Sequence, residues 1–150
     1  MICIEYEVKV SPIDSSGKGV FALHDISAGK VLVAPDRIDD ICRIDELGEG
    51  ERANSSVRWF EDMCSIAANW PDECYFNHSF DANGLWHLGF VFAVRDIRSG
   101  EEITLDYRHL LAEGYTAFTD SHSGRDVTGL PWLEAMSLQL ALLQNVFPRK

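Results

Sequence analysis

Three short stretches of this 150-residue chain carry its most chemically suggestive side chains. Gly17-Lys18-Gly19 stands ahead of a short apolar run, and glycine lets a backbone approach a neighbour closely because no side chain intervenes. Tyr75-Phe76-Asn77-His78-Ser79-Phe80-Asp81-Ala82-Asn83 sets an amide, an imidazole and a hydroxyl among aromatic rings. The stretch from Ala93 ends in Gly100-Glu101-Glu102-Ile103-Thr104-Leu105-Asp106-Tyr107, a turn and a strand closed by a phenol. Taken singly, each reads as structure: a tight turn, a packed histidine, a half-buried tyrosine. Asn83 and Asp106 read as buried polar groups that tie the chain together. Glu101 and Glu102 read as turn or ion-pair residues.

The order and spacing of all three are more specific than any one. Together they resemble the SET domain, the fold of S-adenosylmethionine-dependent protein-lysine methyltransferases. The shared pattern is a GxG turn, an Asn-His-Ser segment with a downstream Asn, and a Gly-Glu-Glu-Ile-Thr-x-Asp-Tyr ending, and it spans roughly residues 11–107. The resemblance implies a mostly β fold with short helices (α+β), built of small curved sheets, with a knot-like threading near its end. It implies that Tyr107 is catalytic and also touches S-adenosylmethionine. Lys18, Gly19, Asn77 and His78 are the other expected cofactor contacts. Tyr75 and Phe80 are expected to wall the substrate channel or the cofactor site, Phe92 is expected in the substrate channel, and no metal is expected.

The implied chemistry is an in-line attack of a lysine amine on a sulfonium methyl. A free lysine, with a pKa near about 10.4, must lose its proton first. A dry aromatic channel and the positive sulfur both push that pKa down, and water can take the proton. Alignment of the two reactants can supply roughly 7–11 kcal/mol at best.

Two departures from the family pattern matter. Phe80-Asp81-Ala82-Asn83 replaces the common Cys-x-Pro-Asn, and no cysteine follows Cys74. The zinc site of many members is therefore excluded. The second tyrosine that many members carry has no counterpart in Val31–Pro35, which leaves the number of methyl groups transferred open.

The elements that must position these residues are short. Ile2, Ile4, Tyr6, Val8 and Val10 alternate as a strand does; Val20–Leu23, Val31–Ala34, Gly89–Val94 and Glu102–Tyr107 read as further strands. Ser15 to Gly19 and His24 to Lys30 read as turns. Ile41, Ile44 and Leu47, then Val57, Phe60 and Cys64, have spacing that predicts two short helices. The chain thus divides into a SET-like part, 1–110, with a helical acidic insert at about 36–73, and a helical extension, 111–150. In the extension, 119–130 reads as a loop. A helix follows from Pro131 to a stop at Pro148, with two apolar stripes: Trp132, Met136, Leu140, Leu143, Phe147, and Ala135, Leu138, Leu142, Val146. Such a helix is expected to pack over the core, to help close the cofactor pocket, or to pair with a second copy. Tyr115, Phe118 or Trp132 is expected over the adenine.

Composition bounds the rest. At 46% apolar and 25% charged residues the chain is globular rather than disordered. Acidic residues number 24 against 13 basic, a net charge of −11, which argues against nucleic acid and anionic membranes as partners. Residues 36–73 alone hold 11 acidic side chains and 4 arginines. Within the SET resemblance this segment flanks the substrate groove, so a basic protein or peptide is the expected partner. The four cysteines form no CxxC pair and read as thiols in a reducing compartment. The charged N-terminus is not a signal peptide. The expectation is a cytoplasmic, minimal bacterial enzyme. The alternatives are a non-catalytic SET-like interaction module or a methyltransferase for small amines.

Overall fold

The computed structural model describes residues 1–13, 17–36, 38, 40–48, 55–67 and 70–147. Strands β1 (Tyr6–Val10), β2 (Lys18–Ala22) and β3 (Val31–Val33) come from the first quarter of the chain. Strands β7 (Asn77–His78), β8 (Gly84–His87), β9 (Phe90–Ala93) and β10 (Glu102–Leu105) come from its middle. These form one sheet in the order β1-β2-β10-β8-β9-β3, with β7 added alongside β10. The fold class is the one expected, mostly β with a terminal helix.

Strand β10 organises the site. It runs antiparallel to β2, with Glu102 opposite Phe21. It also runs parallel to β7, where Thr104 faces Asn77 and Leu105 faces His78. The Ser79 N–H donates to the Leu105 carbonyl at 3.0 Å. The Asn-His segment and the Asp-Tyr segment are thereby held side by side. Asn83, 1% exposed, bridges the same junction: its amide donates to the Glu102 carbonyl at 2.8 Å, and its Oδ1 accepts from Thr104 N–H at 2.9 Å. A buried amide must be paired in this way. Beneath the sheet lie Val20, Leu32, Val33, Phe76, Ile103 and Leu105.

The acidic insert differs from expectation. Where described, it is a three-stranded antiparallel sheet, β4 (Asp40–Arg43), β6 (Met63–Ile66) and β5 (Ser56–Phe60), in that spatial order. Its helical content among the described residues is the 3-10 turn Ile44–Glu46 and the start of a second, Asp72–Tyr75. Apolar residues three apart are too few in so short a window to separate a helix from a strand. The deciding features are the β-rich run Val57-Arg58-Trp59-Phe60 and a tight turn in which Glu61 adopts φ +48°. Cys42 and Cys64 face each other across this sheet and are buried, whereas Ile41 and Phe60 are exposed. Residues 14–16, 39, 49 and 148 lie outside the described residues, so the expected Ser15-Ser16 turn and Pro148 stop, and the placement of Asp39 and Glu49, lie there too.

Residues 111–147 depart from the expected loop at 119–130, while the expected helix is present. Strands β11 (Thr116–Thr119) and β12 (Asp126–Thr128) pair as a hairpin, with Phe118 opposite Val127. Helix α1 (Trp132–Val146) buries Ala135 and Gln139 and half-buries Trp132, Met136, Leu143 and Val146. Its inner line thus takes members of both apolar stripes, while Leu133, Leu138, Leu140 and Leu142 remain exposed. The helix seats on β8, where Gln139 Oε1 meets His87 Nδ1 at 2.8 Å. Arg58 fastens the β4–β6 sheet to this region. Its N–H donates to Leu110 O at 2.8 Å and its Nη1 to Leu130 O at 2.9 Å, in surroundings dry enough to lower its pKa. Among the described residues no helix is long and apolar enough to cross a membrane.

Candidate active site

Tyr107 follows β10 directly and opens a 3-10 turn, Tyr107–His109. The Asp106 carboxylate caps that turn, accepting from Arg108 N at 3.1 Å and pairing with the Arg108 guanidinium. Strand end and cap together aim the tyrosine. Its N–H donates to His78 Nδ1 at 3.2 Å, and its hydroxyl donates to the Phe76 carbonyl. The phenol is pushed up to about 12, first by burial and then by Cys74 and Glu102. It stays protonated at any physiological pH, so it can orient a reactant but is no base.

His78 is 7% exposed. Burial is the largest influence on its pKa and lowers it, against a smaller upward pull from Asp106 and Asp120. The ring is therefore neutral near pH 7. Since Nδ1 accepts from Tyr107, the proton sits on Nε2, which is buried without a partner. Three rings close around it: Phe80 at 4.5 Å, Tyr107 at 5.5 Å and Phe118 at 5.8 Å between centroids. An orphaned N–H donor in an aromatic cage costs free energy until an acceptor arrives.

A second group lies one residue upstream. Asn77 Nδ2 donates to the Lys18 carbonyl at 2.9 Å and to Glu102 Oε1 at 2.7 Å. The Glu102 carboxylate also accepts from Ser11 Oγ, at 2.8 and 2.9 Å. Lys18 Nζ lies 5.3 Å above the Tyr75 ring. A β-carbon on Gly19 would collide with the Glu102 carboxylate. The glycine thus leaves room for that carboxylate, which a larger residue would displace. Glu102, read from sequence as a turn or ion-pair residue, is the hub of this cluster. Its alternation with Ile103 on β10 was the available signal, since it points the carboxylate to the face opposite the core.

On the other side of Tyr107 opens a groove of about 1050 Å³. Tyr107 and Phe76 line its inner end, and Trp59, Trp70, Trp86 and Tyr115 line its flanks. Cys74 lies in its wall, with a thiol pushed up to about 11 by burial and therefore protonated. Lys18, Gly19, Asn77, His78 and Tyr107 are thus brought together.

The three channel residues are not. Tyr75 sits under Lys18. Phe80 is packed against His78 and flanked by the guanidinium groups of Arg108 (5.0 Å) and Arg125 (3.8 Å). Phe92 points away from the groove to Phe90 and Phe147, because the adjacent Val91 takes the inward face of β9. None of the three lines the groove; the tryptophans do. Helix α1 packs behind the sheet, and the β11–β12 hairpin delivers Phe118 to His78 and Tyr107, whereas Trp132 lies by Arg58. Among the described residues no three His, Cys, Asp or Glu side chains gather as a metal set.

A family model for the SET domain matches residues 17–108. Two solved structures are similar. The methyltransferase domain of human PR domain-containing protein 2 shares 18% identity over 67% of this chain and 75% of that one, with a TM-score of 0.49. A Plasmodium falciparum protein described as a histone methyltransferase shares 17% identity over 69% and 93%, with a TM-score of 0.48. No curated protein sequence matches the chain.

Proposed function

The chain belongs to the SET domain family, a family of methyltransferases, and on that premise we propose that it methylates the side-chain amine of a lysine in a basic protein or peptide. The methyl donor in this reading is S-adenosylmethionine. The observation that carries the reading is the station of Tyr107. Its ring packs against His78 and Phe118, while its hydroxyl meets the Phe76 carbonyl at the inner end of the groove.

The residues fit the donor. The unpartnered His78 Nε2 in its aromatic cage supplies a hydrogen bond for an adenine-like acceptor, and Phe118 supplies a stacking face. Lys18, Gly19 and Asn77 form the neighbouring wall for the polar remainder, in the arrangement that Glu102 holds. When bound, S-adenosylmethionine supplies an electrophilic methyl on a positively charged sulfur.

The remaining work falls to the protein. The aromatic groove excludes water from an entering lysine, which disfavours its ammonium form. Phe76 O and the Tyr107 hydroxyl oxygen can accept hydrogen bonds from its nitrogen and so aim its lone pair. The proton leaves to solvent, because Tyr107 does not titrate in range. A lysine nitrogen held by those two oxygens would take the methyl that the donor, bound against Lys18, Gly19, Asn77 and His78, would release from its sulfur.

Methyl transfer into a lysate, with tritiated S-adenosylmethionine and the Tyr107→Phe chain as control, tests this directly. Labelled bands are expected with the wild type alone; bands that survive the substitution refute the assignment. A chain that does not bind S-adenosylmethionine in calorimetry is instead a non-catalytic SET-like module.

A further inference from the structure

The groove leading to Tyr107 has a chemistry of its own. It is larger than one lysine side chain needs, at the upper end of small-molecule sites. Trp59, Trp86 and Trp70 line it together with Ile38, Tyr115 and Phe118. Two of the tryptophans have their N–H groups satisfied inside the protein. Trp59 Nε1 donates to Ser65 Oγ and Trp86 Nε1 to Arg58 O at 3.1 Å. What these two have left to offer is apolar ring surface. They lock each other edge to face at 6.1 Å, and Gly89 must be a glycine because any β-carbon there would collide with the Trp59 ring. The outer part is open: Trp70 is 53% exposed and Tyr115 58%. Of the acidic insert's carboxylates, Asp36 and Glu73 line the groove, each paired with the N-terminal ammonium at 3.0 Å, whereas Asp40, Asp45, Glu46 and Asp62 do not line it. Arg43 pairs with both Asp45 and Asp62.

We propose that this groove selects substrates in which a bulky apolar side chain stands beside the target lysine, and that Trp70 is its main specificity-determining residue. The occupant is the substrate's own polypeptide, because the groove is continuous with the Tyr107 end where the lysine must arrive. The inference rests on the lysine-methyltransferase reading and adds a substrate class to it. The acidic surface and the groove then divide the work. Net charge attracts a basic protein over distance, while the tryptophans read a neighbouring residue at contact, where apolar area leaving water decides affinity.

The test uses the full chain with S-adenosylhomocysteine present and lysine-centred peptides that differ at one flanking position, carrying Leu, Phe, Ser or Asp. Affinity is followed by calorimetry. Leu and Phe peptides are expected to bind about tenfold more tightly than Ser and Asp peptides at one or more positions, about 1.4 kcal/mol. Trp70→Ala should erase that preference and leave S-adenosylhomocysteine affinity unchanged; Trp70→Phe should keep most of it. Equal affinities, no binding by any peptide, or a preference that survives Trp70→Ala overturns the proposal. Methyl transfer to the same peptides separates the two readings. Selective binding without transfer removes the enzyme and keeps the groove's selectivity. Transfer without apolar preference does the reverse.

Discussion

Replacing Tyr107 with Phe removes one oxygen, and the structure gives that change a pH signature. Near pH 8 the variant loses the hydroxyl that satisfies the Phe76 carbonyl. Leaving such a group unpaired costs about 1–3 kcal/mol. The wild-type phenol is held near 12 in the fold, against an ordinary value of 10. Below pH 10 it is protonated folded or unfolded, and its stabilisation is fully present. As pH rises from 10 to 12, the unfolded chain ionises first, and folding stability falls. Over that window the wild type should lose about 2.7 kcal/mol through this residue, while the variant has nothing to lose. The gap between them should therefore shrink with pH and close or invert by pH 12. Tyr6, also raised, titrates in both chains and cancels in the difference, whereas Cys74 is coupled to the Tyr107 phenol and belongs to the same transition. Urea unfolding at a series of pH values measures the gap. A difference that stays constant from pH 9 to 12 would show that Tyr107 is in contact with water, and the dry-channel argument for deprotonating a lysine would fail with it.

Four further outcomes are expected. Gly19→Ala should push Glu102 off Ser11 and Asn77 and weaken S-adenosylmethionine binding at least tenfold in calorimetry; unaltered binding would detach that cluster from the cofactor. Phe118→Ala should weaken the same affinity about tenfold (about 1.4 kcal/mol of stacking) with little change in melting temperature, since Phe118 is 42% exposed. Acidification should destabilise the chain through His78 and His109, both buried with pKa values lowered first by desolvation. Their contribution is present above 6.5 and lost as pH falls through their folded values, at most about 1.4 kcal/mol per histidine per pH unit, so His109→Gln should flatten the acid limb of a melting-temperature profile. Asp40→Asn with Glu46→Gln should raise KM for a basic peptide two- to threefold at low salt and not at high salt, where screening removes long-range attraction (about 10 Å at 0.1 M); an identical rise at both would deny the electrostatic origin.

The residues around Tyr107 were legible because their signal is local. Gly17 to Gly19, Asn77-His78 and the Asp106-Tyr107 ending each depend on identities a few positions apart, and their order along the chain is itself information. The residues of the groove carry no such signal. Whether Val91 or Phe92 faces it is a matter of strand register, and a shift of one residue exchanges the two faces. Phe80 looked like channel wall but lies between two arginines, one of them 45 positions downstream. Trp59 on β5 and Trp86 on β8 pack edge to face from two different sheets, and Trp70 lines the same cavity from outside any strand, so that cavity has no linear trace.

The sequence by itself therefore determined the family and the mostly β class, and it named Lys18, Gly19, Asn77, His78 and Tyr107 as candidates that the fold sets close together, because motif chemistry is written in short-range spacing. Tertiary structure decided that the acidic insert is a sheet, that a hairpin rather than the terminal helix brings an aromatic ring to His78, and that three tryptophans lead to Tyr107. Those outcomes turn on which distant strands exchange hydrogen bonds and which faces lose water. Both are properties of the assembled chain rather than of any segment of it.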